Sequence, residues 1–579
     1  MTLQEILYNA YLENYKEVAI INNEKNISYQ NLYKKVYSIS CYFLGDLKIS
    51  QKIIPVVFSS SEFYVYSILG LLFSKNIFMP LDVSHPINKI KNYLLKIKAE
   101  YIITEKTVSV RLRALCEEMG IKIIYIENIL ETNKKTNDFS FNFESFNEED
   151  GIYVYFTSGT TGEQKAVLGM NKSLLHFIEW EKQEFHVNSK DVFAQITSPA
   201  FDPYLRDIFT PLCSGAKICF ANRNIVLLPH LLGDFLKKSE ITFWHTTPTI
   251  LKNLIKTEFS TEHFAKVRCI LIAGEVLPAW LVIYWYSHYK NYSELVNIYG
   301  PTETTLAKVF ARIPYTFSKD IVPLGTPIHD TKIYIKNKEM TYDVSDGVIG
   351  EICIETEYTT YGYLYEKKDL FISSKGNQQK IYHTGDIGYF KDNILYFIGR
   401  KDEQKKIGGI RINLNEIASR ILSYNKNQIK DCIVVCDEEL LAFYTSDISI
   451  DLRKLHEFLE KFLLPIHIPH KFIKIDDFAF TENGKIDRKK IIKEYHLGIR
   501  TKIFKIVGSI LNVDLNENNI NDKLQDIGMD SIAYVKLVVE LENMFEIEIP
   551  DEDFSISEMS TLNQIIYVVK KALDNKVIK

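Results

Sequence analysis

Short apolar, β-branched and aromatic runs alternate with stretches of helical period over the first two thirds of the chain. Ile53–Phe58 reads as a buried strand, Glu62–Phe73 as a helix, Ile77–Leu81 as a strand and Ile87–Ile97 as a helix. Tyr101–Thr104 and Ile121–Ile126 read as further strands, and the polar run Glu131–Glu149 as a loop. Ile152–Phe156 is again strand-like, and Val192–Ile196, Ile218–Phe220, Thr242–Trp244 and Cys269–Ala273 each lead toward a helix-like run. Such alternation predicts an α/β class with largely parallel sheets. Residues 331–400 are richer in strand pattern, at Lys332–Ile335, Gly350–Ile354 and Ile394–Ile398. The charged run Gly399–Lys406 has no apolar period; it is either a solvated face or, given the change in composition, a hinge between domains. A small α/β piece follows to about residue 498, and 499–579 reads as helices with acidic loops.

Composition narrows the class without naming a chemistry. At 579 residues the chain is too long for one core and suggests about three or four domains. A net charge of −5 gives no general pull toward nucleic acid or membrane. From Ile499 onward there are nine Lys/Arg against fourteen Asp/Glu, so the C-terminal piece carries an excess equal to that of the whole chain. The eight cysteines are scattered, with no Cys-x-x-Cys pair and no histidines at zinc spacing, which fits a reducing cytosol. The N-terminus has acids and no basic start, so no signal peptide is expected, and Ile53–Phe73 is interrupted by Ser59–Glu62 and is not a membrane span. A cytoplasmic protein is expected.

The chemistry starts at Thr157-Ser158-Gly159-Thr160-Thr161-Gly162-Glu163-Gln164-Lys165, directly after a strand. Glycines let the backbone fold around an anion, and hydroxyls and N–H groups then point at it. The stretch is a phosphate cradle or a plain polar loop; it lacks the Gly-Lys-Ser/Thr of a Walker-type loop. Further on come Ala273-Gly274-Glu275, Asn297-Ile298-Tyr299-Gly300-Pro301-Thr302-Glu303, Tyr382-His383-Thr384-Gly385-Asp386, Gly399-Arg400-Lys401-Asp402 and Asn483-Gly484-Lys485-Ile486-Asp487-Arg488. In this order and spacing, with Met79-Pro80-Leu81-Asp82 and His85-Pro86 ahead of them, they closely resemble the adenylation domains of nonribosomal peptide synthetases, within the adenylate-forming superfamily. The terminal Asp526-Ile527-Gly528-Met529-Asp530-Ser531-Ile532, with apolar residues at helical spacing behind it, resembles carrier proteins; alone it could be a simple helix cap. The Met-Asp-Ser-Ile form is nearer to acyl and loading-type carriers than to elongating peptidyl carriers.

The resemblance implies an adenylation core at 1–401, a small α+β subdomain at 402–498 and a helical carrier bundle at 499–579. It implies that Thr157–Lys165 holds the ATP phosphates, that Tyr299 stacks on adenine, and that Asn297 and Gly274 line the base with Thr302 nearby. Glu303 would hold Mg²⁺, and Asp386, with Arg400 beside it, the ribose. Lys485 would bridge the substrate carboxylate and the phosphate, though by itself it could be a surface lysine. Asp402 would be the hinge about which the small subdomain turns, exchanging Lys485 for the Gly408-Gly409 loop. Ser531 would carry a 4′-phosphopantetheine arm, installed by a phosphopantetheinyl transferase.

The pocket implied by the same resemblance comprises Phe201, Asp202, Pro203, Arg206, His245, Leu271, Ala273, Ile298, Leu306 and Ala307, with Lys485. Asp202 matches the aspartate that binds an α-ammonium group, which favours an amino acid over an aryl or fatty acid. Arg206 in a mostly apolar pocket needs an anion. That anion is either a second carboxylate on the substrate, as in aminoadipate, glutamate or aspartate, or simply Asp202 or Asp207. Gln164, Ala166, the glycine-poor segment Glu355–Tyr363, Gly408, Asn413 and Asn415 depart from the family pattern without removing a catalytic side chain. The expectation is an AMP-forming ligase that loads an amino acid onto its own carrier. No stretch resembles a condensation, reductase or thioesterase region, so the product is expected to pass to a condensation, transferase or other biosynthetic enzyme in trans. An acyl- or aryl-acid ligase with a fused carrier, or a non-catalytic carrier scaffold, are the alternatives.

Overall fold

The structure is a computed structural model. It describes the chain apart from residues 23–24, 60, 133–140, 142–145, 159–163, 258, 290–292, 338–341, 366–369, 374–379, 402–403, 408–409, 425–427, 437–438, 477, 480–485, 487, 514, 517–518, 546, 551–558 and 577–579. The chain divides into two compact units, Met1–Glu416 with Glu460–Ile466, and Ile417–Leu459 with His467–Lys579.

Parallel strands lie at the centre of the first unit's two larger sheets because their sequences are apolar on both faces, and antiparallel strands close one edge of the seven-stranded sheet and both edges of the nine-stranded one. One seven-stranded sheet runs, in spatial order, Gly362–Tyr363, Gln164–Met170, Gly151–Ser158, Ile77–Asp82, Ile53–Phe58, Tyr101–Thr104 and Lys122–Tyr125. Its last five strands are parallel. A nine-stranded sheet places Glu294–Tyr299, Cys269–Ile272, Phe243–Thr246, Val192–Gln195, Lys217–Phe220 and Val18–Asn22 side by side, all parallel. A six-stranded antiparallel sheet carries Gly350–Thr356, Lys380–Lys391 and Ile394–Arg400. The α/β expectation therefore holds, and the strand-rich reading of 331–400 is this third sheet.

Three local expectations need correction. The strand expected at Thr242–Trp244 is shifted to Phe243–Thr246, which puts His245 inside the sheet, paired opposite Leu271. Ile126, expected to end a strand, begins the helix Ile126–Thr132, which runs into the segment expected as loop. In the charged run, Gln404–Ile407 is a strand in a hairpin with Ile410–Asn413. Backbone pairing with a neighbouring strand needs no apolar period, which is why the pattern did not signal it. Asp402 itself lies outside the described residues.

Two helices position the candidate pocket. Asn171–Glu184 is buried along most of its length, including His176 and Glu181. Pro203–Cys213 starts with proline in the first turn, where a missing N–H costs nothing, and buries every residue from Tyr204 to Cys213. Leu205, Ile208, Leu271, Ile298, Leu306 and Ala307 share one apolar cluster.

In the second unit a three-stranded sheet, Asp431–Cys436, Leu440–Thr445 and Lys471–Lys474, faces the helix Arg488–Leu511. That helix runs unbroken across residues 498/499. Ile491 packs in the cluster of Ile433, Val435 and Phe443, whereas Ile499, Ile503 and Val507 pack with Leu524, Leu537, Leu541 and Ile565 of the terminal bundle. Tyr495 touches both clusters. No helix among the described residues is long and apolar enough to cross a membrane.

Candidate active site and carrier site

In open α/β sheets ligands sit beyond the carboxyl ends of the strands. Tyr299 ends its strand, and Ala273 and Gly274 directly follow Cys269–Ile272. Gly274 has a φ of +94°, a left-handed conformation that suits glycine. Tyr299 donates its hydroxyl hydrogen to Asp386 Oδ2 at 2.5 Å, and Arg400 Nη1 donates to Asp386 Oδ1 at 2.5 Å. Asp386 and Arg400 face each other across adjacent strands, so the sheet register brings them together. The Asn297 amide donates to the Pro323 carbonyl at 2.7 Å.

Glu303 is buried on a one-turn helix at Thr302–Thr304. Its carboxylate accepts from the Tyr363 hydroxyl at 2.9 Å, and its carbonyl accepts from the Thr360 hydroxyl at 2.8 Å. Lys165 Nζ lies 4.3 Å from the centre of the Tyr363 ring, a cation–π arrangement. Tyr363 was not among the expected site residues. Its only sequence signal is its place in the glycine-poor segment Glu355–Tyr363; in the structure Gly362 and Tyr363 pair with Leu168 and Val167. Of the expected cradle, Thr157 and Ser158 end the strand Gly151–Ser158; Gly159, Thr160, Thr161 and Gly162 lie outside the described residues, as do Lys485, Gly408 and Gly409. Thr157 Oγ1 is buried without a hydrogen-bond partner. A phosphate oxygen would satisfy it, so these residues fit a nucleotide. A single carboxylate at Glu303 fits Mg²⁺, which commonly takes one or two carboxylates plus phosphate oxygens and water.

The polypeptide after Pro301 is tightly bent. Thr305 and Leu306 have φ of +62° and +58°, and a Cβ on Gly300 would meet the Leu306 carbonyl oxygen at 2.2 Å. Non-glycine residues held in this region cost of order 1 kcal/mol each, and such strain clusters at functional sites. The bend turns Leu306 and Ala307 into the same apolar cluster as Leu271 and Ile298.

Asp202 precedes the Pro203–Cys213 helix, and its Oδ1 accepts from the Thr302 hydroxyl at 3.1 Å, which joins the expected pocket to the expected nucleotide side. Phe201 and Pro203 flank it and are half-buried. One turn on, Arg206 is 5% exposed. Its Nε has no hydrogen-bond partner, and the Asp207 carboxylate lies 3.9 Å away. Burial lowers the Arg206 pKa, and Asp207, Glu181 and Asp202 oppose that shift. Asp207 instead bonds His245: Nδ1 is 2.8 Å from Asp207 Oδ1, and Nε2 is 2.7 Å from Glu181 Oε1. The Thr210 hydroxyl donates to the other Glu181 oxygen at 2.5 Å. Burial works against a charged His245, but the two carboxylates outweigh it and its pKa is raised. Glu181 was missed in the sequence; it lies on a separate helix, and no local motif announces it.

A second buried cation was missed as well. Lys308 is fully buried and its Nζ contacts His176 Nδ1 at 3.3 Å; burial pushes its pKa down to about 7. His176 donates Nε2–H to the His329 carbonyl and stacks on Tyr358 with ring centres 3.9 Å apart. With both ring nitrogens so engaged, His176 has no lone pair for a metal, although His329 and Asp330 are close.

In the terminal bundle Ser531 is the first residue of the helix Ser531–Phe545 and is exposed. The cap is made by the neighbouring acid: Asp530 Oδ1 accepts from the Ala533 N–H at 2.7 Å. The Ser531 hydroxyl is therefore not needed as the cap.

Residues 9–364 match the family described as AMP-binding enzyme, and residues 501–566 match the phosphopantetheine attachment site. Gramicidin S synthase 2 of Brevibacillus brevis is 25% identical over 600 aligned positions, covering 100% of this chain and 13% of the relative. Zwittermicin A synthase ZmaJ of Bacillus cereus is 26% identical over 504, covering 84% and 94%. The chain thus spans a small part of the first relative and most of the second. Among solved structures, holo-PA1221, a nonribosomal peptide synthetase protein containing adenylation and carrier domains bound to a vinylsulfonamide inhibitor, superposes with a TM-score of 0.74 at 18% identity over 100% of this chain and 98% of that one, a likeness of fold. These findings show that the chain belongs to the AMP-binding enzymes, as an ATP-using adenylate-forming domain joined to a domain with a phosphopantetheine attachment site.

Proposed function

We propose that the chain activates an amino acid bearing a second carboxylate, as its adenylate, and transfers it to its own carrier domain. The observation that carries the substrate reading is Arg206, a buried guanidinium whose Nε is unbonded, with Asp207 Oδ1 3.9 Å away and bonded to His245. A buried cation left in this way calls for an acceptor, and a carboxylate can pair with it bidentately. Asp202, bonded to Thr302 at the mouth of the pocket, would hold the α-ammonium group.

In the first half-reaction an α-carboxylate oxygen attacks the α-phosphorus of ATP, the bond to the bridging oxygen breaks and pyrophosphate leaves. Such chemistry rests on positioning and charge stabilisation. Thr157–Lys165 would hold the phosphates, Tyr299 with Asn297 and Gly274 the base, and Asp386 with Arg400 the ribose. Glu303, oriented by Tyr363, would hold Mg²⁺, which neutralises phosphate charge. Lys485 would stabilise the transition state. In the second half-reaction a thiol sulfur attacks the acyl carbon and the bond to AMP breaks. The phosphopantetheine arm, placed on exposed Ser531 by a phosphopantetheinyl transferase, would supply that thiol. The working division is 1–401, 402–498 about Asp402, and 499–579, with the product passing to a further biosynthetic enzyme.

The test is amino-acid-dependent ATP–pyrophosphate exchange with aminoadipate, glutamate, aspartate, glutamine, neutral amino acids and aryl acids, on wild type and Arg206→Ala. Exchange with a dicarboxylic amino acid that falls about a hundredfold in Arg206→Ala is expected. Exchange with a neutral amino acid or an aryl acid, unchanged by the substitution, overturns the substrate reading. No exchange with any acid would favour a non-catalytic scaffold.

A further inference from the structure

The carboxylate nearest Arg206 is only partly committed to it: Asp207 Oδ1 bonds His245, Asp207 Oδ2 is buried without a hydrogen-bond partner, and Arg206 Nε is unbonded. Asp207 is the next residue on the same helix, and its Oδ1 is the carboxylate oxygen 3.9 Å from Arg206 Nε. That same oxygen takes the His245 Nδ1 hydrogen at 2.8 Å. The opposite ring nitrogen faces Glu181 Oε1 at 2.7 Å. An ionised carboxylate only accepts hydrogen bonds, so a ring bonded to two ionised carboxylates carries a proton on each nitrogen. All three side chains are buried. The group holds two carboxylates and two cations, and neither cation shares its hydrogen bonds with the other.

Glu181 comes from the Asn171–Glu184 helix, whereas Arg206 and Asp207 come from Pro203–Cys213 and His245 from the sheet. Thr210 fixes Glu181 from the side away from the ring. Asp202 is the remaining charged group acting on Arg206. Taking the charge from Glu181 would leave His245 with one carboxylate in a buried site, where the neutral ring is favoured. Asp207 would then have a stronger attraction to Arg206 than to His245.

We propose that Glu181 is a positioning residue that sets substrate specificity: together with Asp207 it holds His245 as an imidazolium, and so keeps Asp207 from closing on Arg206 and leaves the guanidinium open to the substrate side chain. This rests on the dicarboxylic reading above.

The experiment uses the full chain and the dicarboxylic amino acid that the panel identifies. Glu181→Gln keeps the size and an acceptor for the ring but removes the charge. It should raise the KM for that amino acid at least tenfold, with kcat and the KM for ATP within about threefold. Adding Asp207→Asn to Glu181→Gln removes the anion that would close on Arg206, and should recover most of the lost affinity. A merely structural role predicts the opposite, a double variant worse than either single one, and that result overturns the proposal. A second measurement needs no variant to fold well. Nitrogen-15 spectra of histidine-labelled wild type should show one buried ring protonated on both nitrogens at pH 8.5; its absence overturns the proposal. Exchange that depends on Arg206 but is indifferent to Glu181→Gln sinks this role alone. Exchange with a neutral amino acid, indifferent to Arg206→Ala, sinks the dicarboxylic reading and this role with it.

Discussion

Two buried cationic groups, His245 and Lys308, contact the same helix, Asn171–Glu184, and they solve the same problem in opposite ways. Near its end, Glu181 and Asp207 enclose His245, and the ring's pKa rises despite complete burial. Near its start, Lys308 meets His176, a neutral ring, and its pKa falls to about 7 with burial as the cause. Depth is similar in the two places; the partner differs. A buried cation keeps its proton when carboxylates repay its lost hydration and gives it up when they do not. The carboxylate-rich end is the one beside the candidate substrate pocket.

The comparison breaks hardest if His245 is removed. His245→Leu leaves Glu181 and Asp207 buried without their shared cation and should destabilise the first unit by about 3–5 kcal/mol, read as a lower urea midpoint. Wild type should carry the pH signature of a raised pKa. The contribution of His245 is fully present below its ordinary value near 6.5 and is lost as pH rises through the higher folded value. Denaturation midpoints of wild type and His245→Leu should therefore converge on the alkaline side, and a gap that widens there would contradict the imidazolium.

Lys308 should respond with the opposite sign. Lys308→Met removes an unpaired buried ammonium and should stabilise by roughly 1–3 kcal/mol, after the loss of the His176 contact. With the folded pKa lowered to about 7, the penalty is largest at acid pH and shrinks as pH rises, so the gain should be greater at pH 6 than at pH 9. Destabilisation at pH 6 would show that Lys308 has a charge partner after all. The smallest effect belongs to Tyr358→Leu, which removes the ring stacked on His176 and should cost about 1 kcal/mol with little change in exchange activity.

The residues expected on the nucleotide side lie in short motifs whose spacing is local, which is why the sequence offers them. Tyr299, Asp386 and Arg400 come together in the structure, the last two as cross-strand neighbours, and Glu303 is bonded to Tyr363. Asn297 donates its amide hydrogen to the Pro323 carbonyl, a bond that the motif itself does not announce. Tyr363 reaches Glu303 from about sixty residues away, through a two-residue edge strand. Glu181 reaches His245 from another helix, and nothing in either residue's neighbours in sequence signals the pairing.

On the sequence alone, the order of apolar runs was enough for the α/β class, and the resemblance of the motifs was enough for the AMP-binding family and for the carrier helix that begins at Ser531. Those features depend on periodicity and on local backbone geometry. Whether Arg206 would be neutralised by its own neighbour was open in the sequence, because Asp207 is adjacent to it in either case. Only the packed structure settles where that carboxylate goes: the sheet brings His245 to it, a separate helix brings Glu181 to the other side of the ring, and in a buried site the charge balance of groups distant in sequence determines which pairs form.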